Sequence, residues 1–249
     1  MGNSLNKPNC VSAILIKLMR IHNFYIENPI GDAENITVSD VDLRHQLIDV
    51  FRLNVGSQIM LLDNTGYQFL SEIISYTKRD LTLGIVSKTK NEWLPRVEAR
   101  LFQSIIKKDK FEWVLEKGTE LGVSHFVPIL AARSEKKKIN LERAEKIIKE
   151  ASEQSGRGTM PTIVAAATLD NALSDCGANF FVFDKSGEKL SSDDLSSDSP
   201  VSLFIGPEGG WSESEIALFR KSGAKIRTLG ELTLRSETAA ISALALILL

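Results

Sequence analysis

The run Val201-Ser202-Leu203-Phe204-Ile205-Gly206-Pro207-Glu208-Gly209-Gly210 changes character at its midpoint. Its first five residues are mostly apolar and read as a short buried strand, which Gly206-Pro207 breaks at once. Trp211 leads into Ser212, with Glu215 three residues on. This is the capping-box pattern, in which each side chain satisfies a backbone N–H that the first helical turn leaves unpaired. The spacing predicts a helix to about Ser222, stopped at Gly223, then a strand over 225–229 closed by Gly230. Leu234-Arg235-Ser236-Glu237-Thr238-Ala239-Ala240 opens a final helix that continues to Leu249. Two glycine-marked loops thus each follow a strand, and in an open parallel sheet ligands bind beyond the carboxyl ends of strands. Taken alone, either loop is ambiguous, because glycine at positive φ serves tight turns and close ligand approach equally well.

Upstream, strands are predicted over 97–106, 125–130, 162–166 and 180–184. Helices fall between them: one capped by Asp109 and ended by Gly122, an amphipathic one over 141–155, and a short one over 169–175. This alternation predicts an α/β unit, a mostly parallel sheet of about six strands with helices on both faces. Residues 191–200, rich in Ser and Asp, read as an exposed loop. The N-terminal part has a different rhythm. A strand-like run at 23–27 and a polar stretch with Pro29 and Gly31 precede a helix capped by Ser39 or Asp40, with Leu43, Leu47, Val50 and Phe51 on one face. Three β-like runs at 58–62, 67–75 and 81–87 follow with hairpin spacing. They predict a small barrel of about 70 residues, joined by a polar linker over 88–95.

The 249 residues suffice for two modest domains or one large one, and a 43% apolar content can fill a packed core. A formal net charge of −2 gives no overall basic field, so any nucleic-acid binding must come from local patches. Cys10, Cys176, His22, His45 and His125 are scattered, so no structural metal site is expected and a reducing, cytoplasmic compartment fits. The apolar patch at 11–18 is interrupted by Ser12 and Lys17 and does not read as a signal peptide. Residues 239–249 are apolar all round yet too short to span a bilayer. A buried helix or a subunit interface is expected there.

Taken together, the segments at 203–210, 229–230 and 234–239 resemble the signature of the SPOUT methyltransferases, and within them the RsmE family of 16S ribosomal RNA uracil-N3 methyltransferases. Three further stretches carry the same resemblance. Lys107-Lys108-Asp109-Lys110-Phe111-Glu112-Trp113 with 116–123 is similar to the family's first helix motif, and Glu153-Gln154-Ser155-Gly156-Arg157 with Pro161 and Ile163 to its second. His45, Val50, Arg52 and Gly56 match the motif of its PUA-like barrel. Met19-Arg20-Ile21 resembles the usual family start, which implies that 1–18 are an N-terminal extension or the product of an upstream start site. Two positions depart from the pattern: Lys108 stands where many members have glycine, and 231–233 lack a basic residue that many carry.

The resemblance implies a PUA-like RNA-binding barrel over 19–90 and a SPOUT domain over 96–249, whose C-terminal segments are tied in a trefoil knot. Knots are too rare for any pattern argument to propose one. It further implies S-adenosylmethionine as cofactor, held by Ile205, Gly206, Gly209, Gly210, Leu229, Gly230, Leu232, Leu234 and Thr238. The substrate it implies is a uridine in the 16S RNA of the small ribosomal subunit, and the assembly a homodimer. Arg235 is the candidate for stabilising the uracil anion and Glu208 for taking the proton or fixing the loop. Arg44, His45, Arg52, Gln154 and Arg157 are candidate RNA contacts. Three other readings stay open. One is a non-catalytic RNA-binding protein with a structural knot, another a SPOUT methyltransferase acting on another RNA, and the third a phosphate binder using 206–210 ahead of the Ser212 helix. The phosphate reading lacks both the P-loop Lys-Ser/Thr and the dinucleotide glycine spacing.

Overall fold

The computed structural model describes residues 21–92, 97–134, 138–191, 194 and 199–249. The expected extension at 1–18, with Cys10, lies outside them, as do linker residues 93–95. The chain divides into two compact units. One holds the described residues to Asp63 together with Tyr67–Lys90, the other Asn64–Gly66 together with the described residues from Asn91 to Leu249.

The first unit comprises β1 (Asn23–Tyr25), β2 (Asn35–Val38), α1 (Val41–Arg44), β3 (Gln58–Leu62), β4 (Tyr67–Tyr76) and β5 (Leu81–Lys90). Its five strands run in the order β1-β3-β4-β5-β2, with β1 parallel to β3 and the other pairs antiparallel. Strand β4 shows why the hairpins are readable: Phe69, Ser71 and Ile73 are buried while Gln68, Leu70 and Glu72 alternate with them at half burial. The Asp40 carboxylate caps α1 by accepting from the N–H groups of Asp42 and Leu43 at 2.9 and 3.0 Å. The helix then widens into a π turn over His45–Val50, where Phe51 N donates to Gln46 O at 2.9 Å. Strand β2 was not expected. It is a four-residue edge strand, half exposed, in what reads as a polar stretch.

The second unit runs β6 (Ala99–Ser104), α2 (Lys108–Leu121), β7 (His125–Leu130), α3 (Leu141–Ser155), β8 (Thr162–Ile163), β9 (Ala167–Thr168), α4 (Leu169–Asp175), β10 (Phe180–Lys189), β11 (Val201–Ile205), α5 (Glu213–Lys221), β12 (Lys225–Thr228) and α6 (Ser236–Leu248). The strand order is β12-β10-β11-β6-β7-β8, with β9 also pairing with β7, and every pair is parallel. Strand β11 lies inside the sheet, and all five of its residues are buried. Leu203 and Ile205 face the layer formed by α2, α3 and α6, while Phe204 faces that of α4 and α5. Each of these buried side chains contributes about 1.5–3 kcal/mol of burial free energy. On the second face Phe204 stacks on Phe102 at 4.4 Å between centroids and meets Phe219 edge-on at 5.3 Å.

Several boundaries differ from expectation. The expected strand over 162–166 shortens to β8, and β9 follows beyond it; each pairs with its own stretch of β7. The N-cap of α2 is Lys107, and Asp109 lies in the first turn instead of capping it. Arg235 occupies the N-cap position of α6 with extended backbone, so that helix starts at Ser236. Asp194, within the expected exposed loop, is buried: its carboxylate takes a fork of hydrogen bonds from Arg227 at 2.7 and 3.1 Å. That hydrogen bond, above all, pulls the Asp194 pKa down to about 2. On α6, Ala240, Ala243 and Leu244 are buried, whereas Leu246 on the helix and the terminal Leu249 stand exposed.

Candidate cofactor cavity

The chain reverses its direction across the sheet after β11, returning past β10 to add β12 on the far side. Such a switch point leaves a crevice beyond the carboxyl ends of the strands. Here it is a cavity of about 380 Å³, bounded by the loops after β11 and β12 and by the start of α6. That volume lies within the ~300–1,000 Å³ of small-molecule sites. Ile205, Gly206, Gly209 and Gly210 line it from the first loop, and Leu229, Gly230, Leu232 and Leu234 from the second. Glu208 is on the lining and exposed. The structure therefore brings these nine predicted residues together. It leaves out two: Thr238 is exposed on α6 off the lining, and Arg235 is exposed between the lining residues Leu234 and Ser236.

Every wall segment is pinned by a polar contact. The Ser236 hydroxyl donates to Gly206 O at 2.6 Å and accepts from Gln103 Nε2 at 2.9 Å, which ties the first loop to β6 and α6. Arg133, in the turn after β7, donates to Gly209 O at 2.9 Å. Glu215 does more than close its capping box with Ser212, since its other oxygen accepts from Ala132 N at 2.8 Å and holds that turn against α5. In the second loop Thr228 donates to Gly230 O at 3.1 Å, and Lys185 hydrogen-bonds Thr233. Two glycines carry geometry that another residue would break. A Cβ on Gly206 would lie 3.2 Å from Cε2 and Nε1 of Trp211, and Gly230 has φ +124°, where side chains are strained.

Sequence reasoning missed Arg133, Asp184, Lys185 and Ser236 on this wall. Asp184 and Lys185 sit on a bulge, where the pairing of β10 with β12 slips between Phe183 and Glu188. Bulges next to sites re-aim side chains, and no short-range signal announces one. The lining supplies apolar surface from Ile205, Leu229 and Leu234, backbone groups around the glycines, cations at Arg133 and Lys185, and carboxylates at Asp184 and Glu208. This donor set fits a ligand that joins a planar heterocycle to a zwitterionic amino-acid end.

The candidate RNA contacts have different fates. The Arg44 guanidinium donates to Asp49 Oδ2 and Thr77 O, both at 2.9 Å, and His45 Nδ1 shares the same Asp49 oxygen at 2.9 Å. The hydrogen bond with His45, then that with Arg44, holds the Asp49 carboxyl below its usual range. Arg52 is exposed at φ 55° beside Phe51, whose ring packs on His22 at 4.6 Å. Gln154 is exposed on α3. Arg157 points inward: it is buried and donates to Thr119 O and Val123 O at 2.8 Å and to Thr159 O at 3.2 Å. Its guanidinium is a structural clamp on the end of α2, which corrects its reading as an RNA contact. Among the described residues no His/Cys/Asp/Glu cluster could hold a metal, and no helix is long and apolar enough to cross a membrane.

Comparison with known proteins agrees with this geometry. Residues 94–248 match the family described as RNA methyltransferase domain. The ribosomal RNA small subunit methyltransferase E of Bacillus subtilis is 30% identical over 91% of this chain and 96% of its own. A methyltransferase of Legionella pneumophila, solved in complex with the cofactor SAM, superposes with a TM-score of 0.85 at 26% identity, covering 92% of this chain and 97% of that one. The ribosomal RNA small subunit methyltransferase E of Neisseria gonorrhoeae, bound to S-adenosyl methionine, gives 0.82 at 26% identity over 91% and 96%. On these matches, over nearly the full length of its relatives, the chain belongs to the ribosomal RNA small subunit methyltransferase E family.

Proposed function

We propose that the protein transfers a methyl group from S-adenosylmethionine to N3 of a uridine in the 16S RNA of the small ribosomal subunit. The observation that carries this reading is the cavity beyond β10, β11 and β12, lined by both glycine loops, in a chain whose family is shown. The cofactor supplies a methyl group made electrophilic by its sulfonium. The chain's own part is orientation: the pinned loops hold the pocket in one geometry before substrate arrives, which is the main source of acceleration available to such a site. The Arg235 side chain has no hydrogen-bond or ion-pair partner among the described residues and stands between two lining residues, so its charge is free to stabilise the anion at a uracil oxygen. Glu208 takes the N3 proton or holds the loop. The uridine must be unpaired to present N3, which is its pairing edge.

In this reading the domain over 19–90 is a PUA-like barrel that binds RNA through Arg44, His45 and Arg52, and Gln154 adds a contact from the domain over 96–249. The segments around the cavity form the trefoil knot. The enzyme is a cytoplasmic homodimer, with the exposed leucines Leu246 and Leu249 covered by the second copy. A non-catalytic RNA-binding role is disfavoured by the intact lining.

Calorimetric titration of S-adenosylmethionine into wild type, Gly206→Val and Arg235→Ala tests the site. Wild type and Arg235→Ala should bind, and Gly206→Val should not, because the new side chain meets Trp211. Absence of binding by folded wild type would refute the proposal.

A further inference from the structure

A second cavity, of about 350 Å³, lies in the same unit between the N-terminal ends of α2 and α3. Its floor is apolar and comes from Ile105, Ile106, Phe111 and Leu115, all buried. Its rim is cationic, with Lys108, Lys138 and Arg143 facing a single carboxylate, Glu112. That carboxylate is shared between Lys108 Nζ at 3.6 Å and Arg143 Nη2 at 3.4 Å, so it neutralises at most one of them. Lys138 is exposed and has no partner among the described residues.

The charge placement runs against the intrinsic preference of the helix. Lys107, Lys108 and Lys110 crowd the positive end of α2, and Lys107, the N-cap, contributes no side-chain acceptor to the first turn. Cations there are unfavourable by the helix dipole, and Asp109 is the only acidic residue of that turn. Lys110 is engaged by Glu237 of α6 at 3.8 Å, while the charge of Lys107 has no such counterpart among the described residues. At Lys107 the local rule is broken with no compensating charge among the described residues, as it is at functional surfaces. An anion docked at the rim would relieve it.

The position fits the reaction. Gln103 of β6 is the register partner of Ile205 of β11, which lines the cofactor cavity, and Ile105 lies two residues further on, just past the carboxyl end of β6. Both cavities thus open at the carboxyl edge of the sheet, and Ile205, Ile106, Phe111 and Leu115 belong to one core layer. Unstacked RNA bases dock on apolar or aromatic side chains while cations take their phosphates. We propose that this cavity is a second nucleotide subsite, receiving a nucleotide that flanks the methylated uridine. Its base rests on Ile106 and Phe111, and its phosphate is held by Lys108, Lys138 and Arg143. The inference rests on the RNA methyltransferase reading and names a part of the substrate that the cofactor cavity does not contact.

The test uses the full chain in two variants, Lys108→Ala/Lys138→Ala, which removes charge from the rim, and Ala144→Leu, which fills the cavity and leaves the charge. Each is compared with wild type for binding of a short fluorescein-labelled single-stranded RNA, for KM and kcat with small subunits, and for S-adenosylmethionine affinity. Both variants should bind RNA several-fold more weakly and raise KM, with kcat and cofactor affinity unchanged, and the double variant should keep the wild-type melting temperature. In the double variant the slope of log affinity against log salt should also shrink by about 0.7, the loss of one phosphate contact. Wild-type RNA affinity and salt slope in the double variant would overturn the subsite. So would an Ala144→Leu protein indistinguishable from wild type, since the lysines would then act as plain surface charge. A wild-type protein that binds cofactor but neither binds RNA nor methylates subunits would instead refute the function itself, and the subsite with it.

Discussion

Replacing Ser236 with alanine cuts the one side chain that joins the first glycine loop, β6 and α6. Ser236 is 5% exposed, and its hydroxyl is donor to Gly206 O at 2.6 Å and acceptor from Gln103 Nε2 at 2.9 Å. The Gln103 amide keeps a second bond, to Ser104 O at 2.9 Å, so it is not fully stranded. Gly206 O loses the hydroxyl that holds it. Leaving such groups under-satisfied costs about 1–3 kcal/mol. For a protein of this size roughly 2 kcal/mol corresponds to a fall in Tm of about 4–8 °C. The loop also bounds the cofactor cavity, so a tenfold loss of S-adenosylmethionine affinity is expected as it loosens. At a cofactor concentration of about 100 times the wild-type Kd, ligand stabilisation would then drop from about 2.7 to about 1.4 kcal/mol. Thermal unfolding with and without cofactor reads both effects: a lower Tm, and a ligand-induced shift cut to about half. A Ser236→Ala protein matching wild type in both would refute the view that this hydroxyl sets the loop.

Other consequences can be checked separately. Because the Asp194 pKa falls from 3.8 to about 2 in the folded state, its ion pair with Arg227 contributes stability above about pH 4 that is lost as pH drops toward 2. The contribution is of order 2 kcal/mol; urea midpoints of wild type and Asp194→Asn should converge over that window, and parallel curves would contradict it. Arg157→Ala should destabilise the protein by about 3 kcal/mol, since three carbonyls lose a charged donor. Lysine there should not rescue it, as an ammonium lacks the planar fork. Weakened RNA binding without loss of stability would instead return Arg157 to the RNA surface.

What could be read from residues alone was local or strongly periodic. Strand β11 was legible because burial on both faces demands an uninterrupted apolar run, and α5 because its capping box spans four residues. The gaps are long-range. Arg157 looked like a surface cation after a helix until carbonyls 34 and 38 residues away enclosed it. Asp194 looked like loop solvation, and its partner lies 33 residues on. Glu215 was seen as a cap, but its bond to Ala132 spans 83 residues. The second glycine loop was visible, whereas Lys185, which holds Thr233 within it, sits on a bulge whose position depends on the register with β12. Strand β2 escaped because four half-exposed edge residues carry too little hydrophobic pattern.

The measurement that bears most directly on the central claim is transfer of labelled methyl from S-adenosylmethionine to purified small ribosomal subunits, with the modified nucleoside identified by mass spectrometry. The account predicts N3-methyluridine in 16S RNA from wild type, strongly reduced by Arg235→Ala and abolished by Gly206→Val. A wild-type protein that binds the cofactor yet methylates no uridine of the small subunit, or methylates another atom, would contradict it.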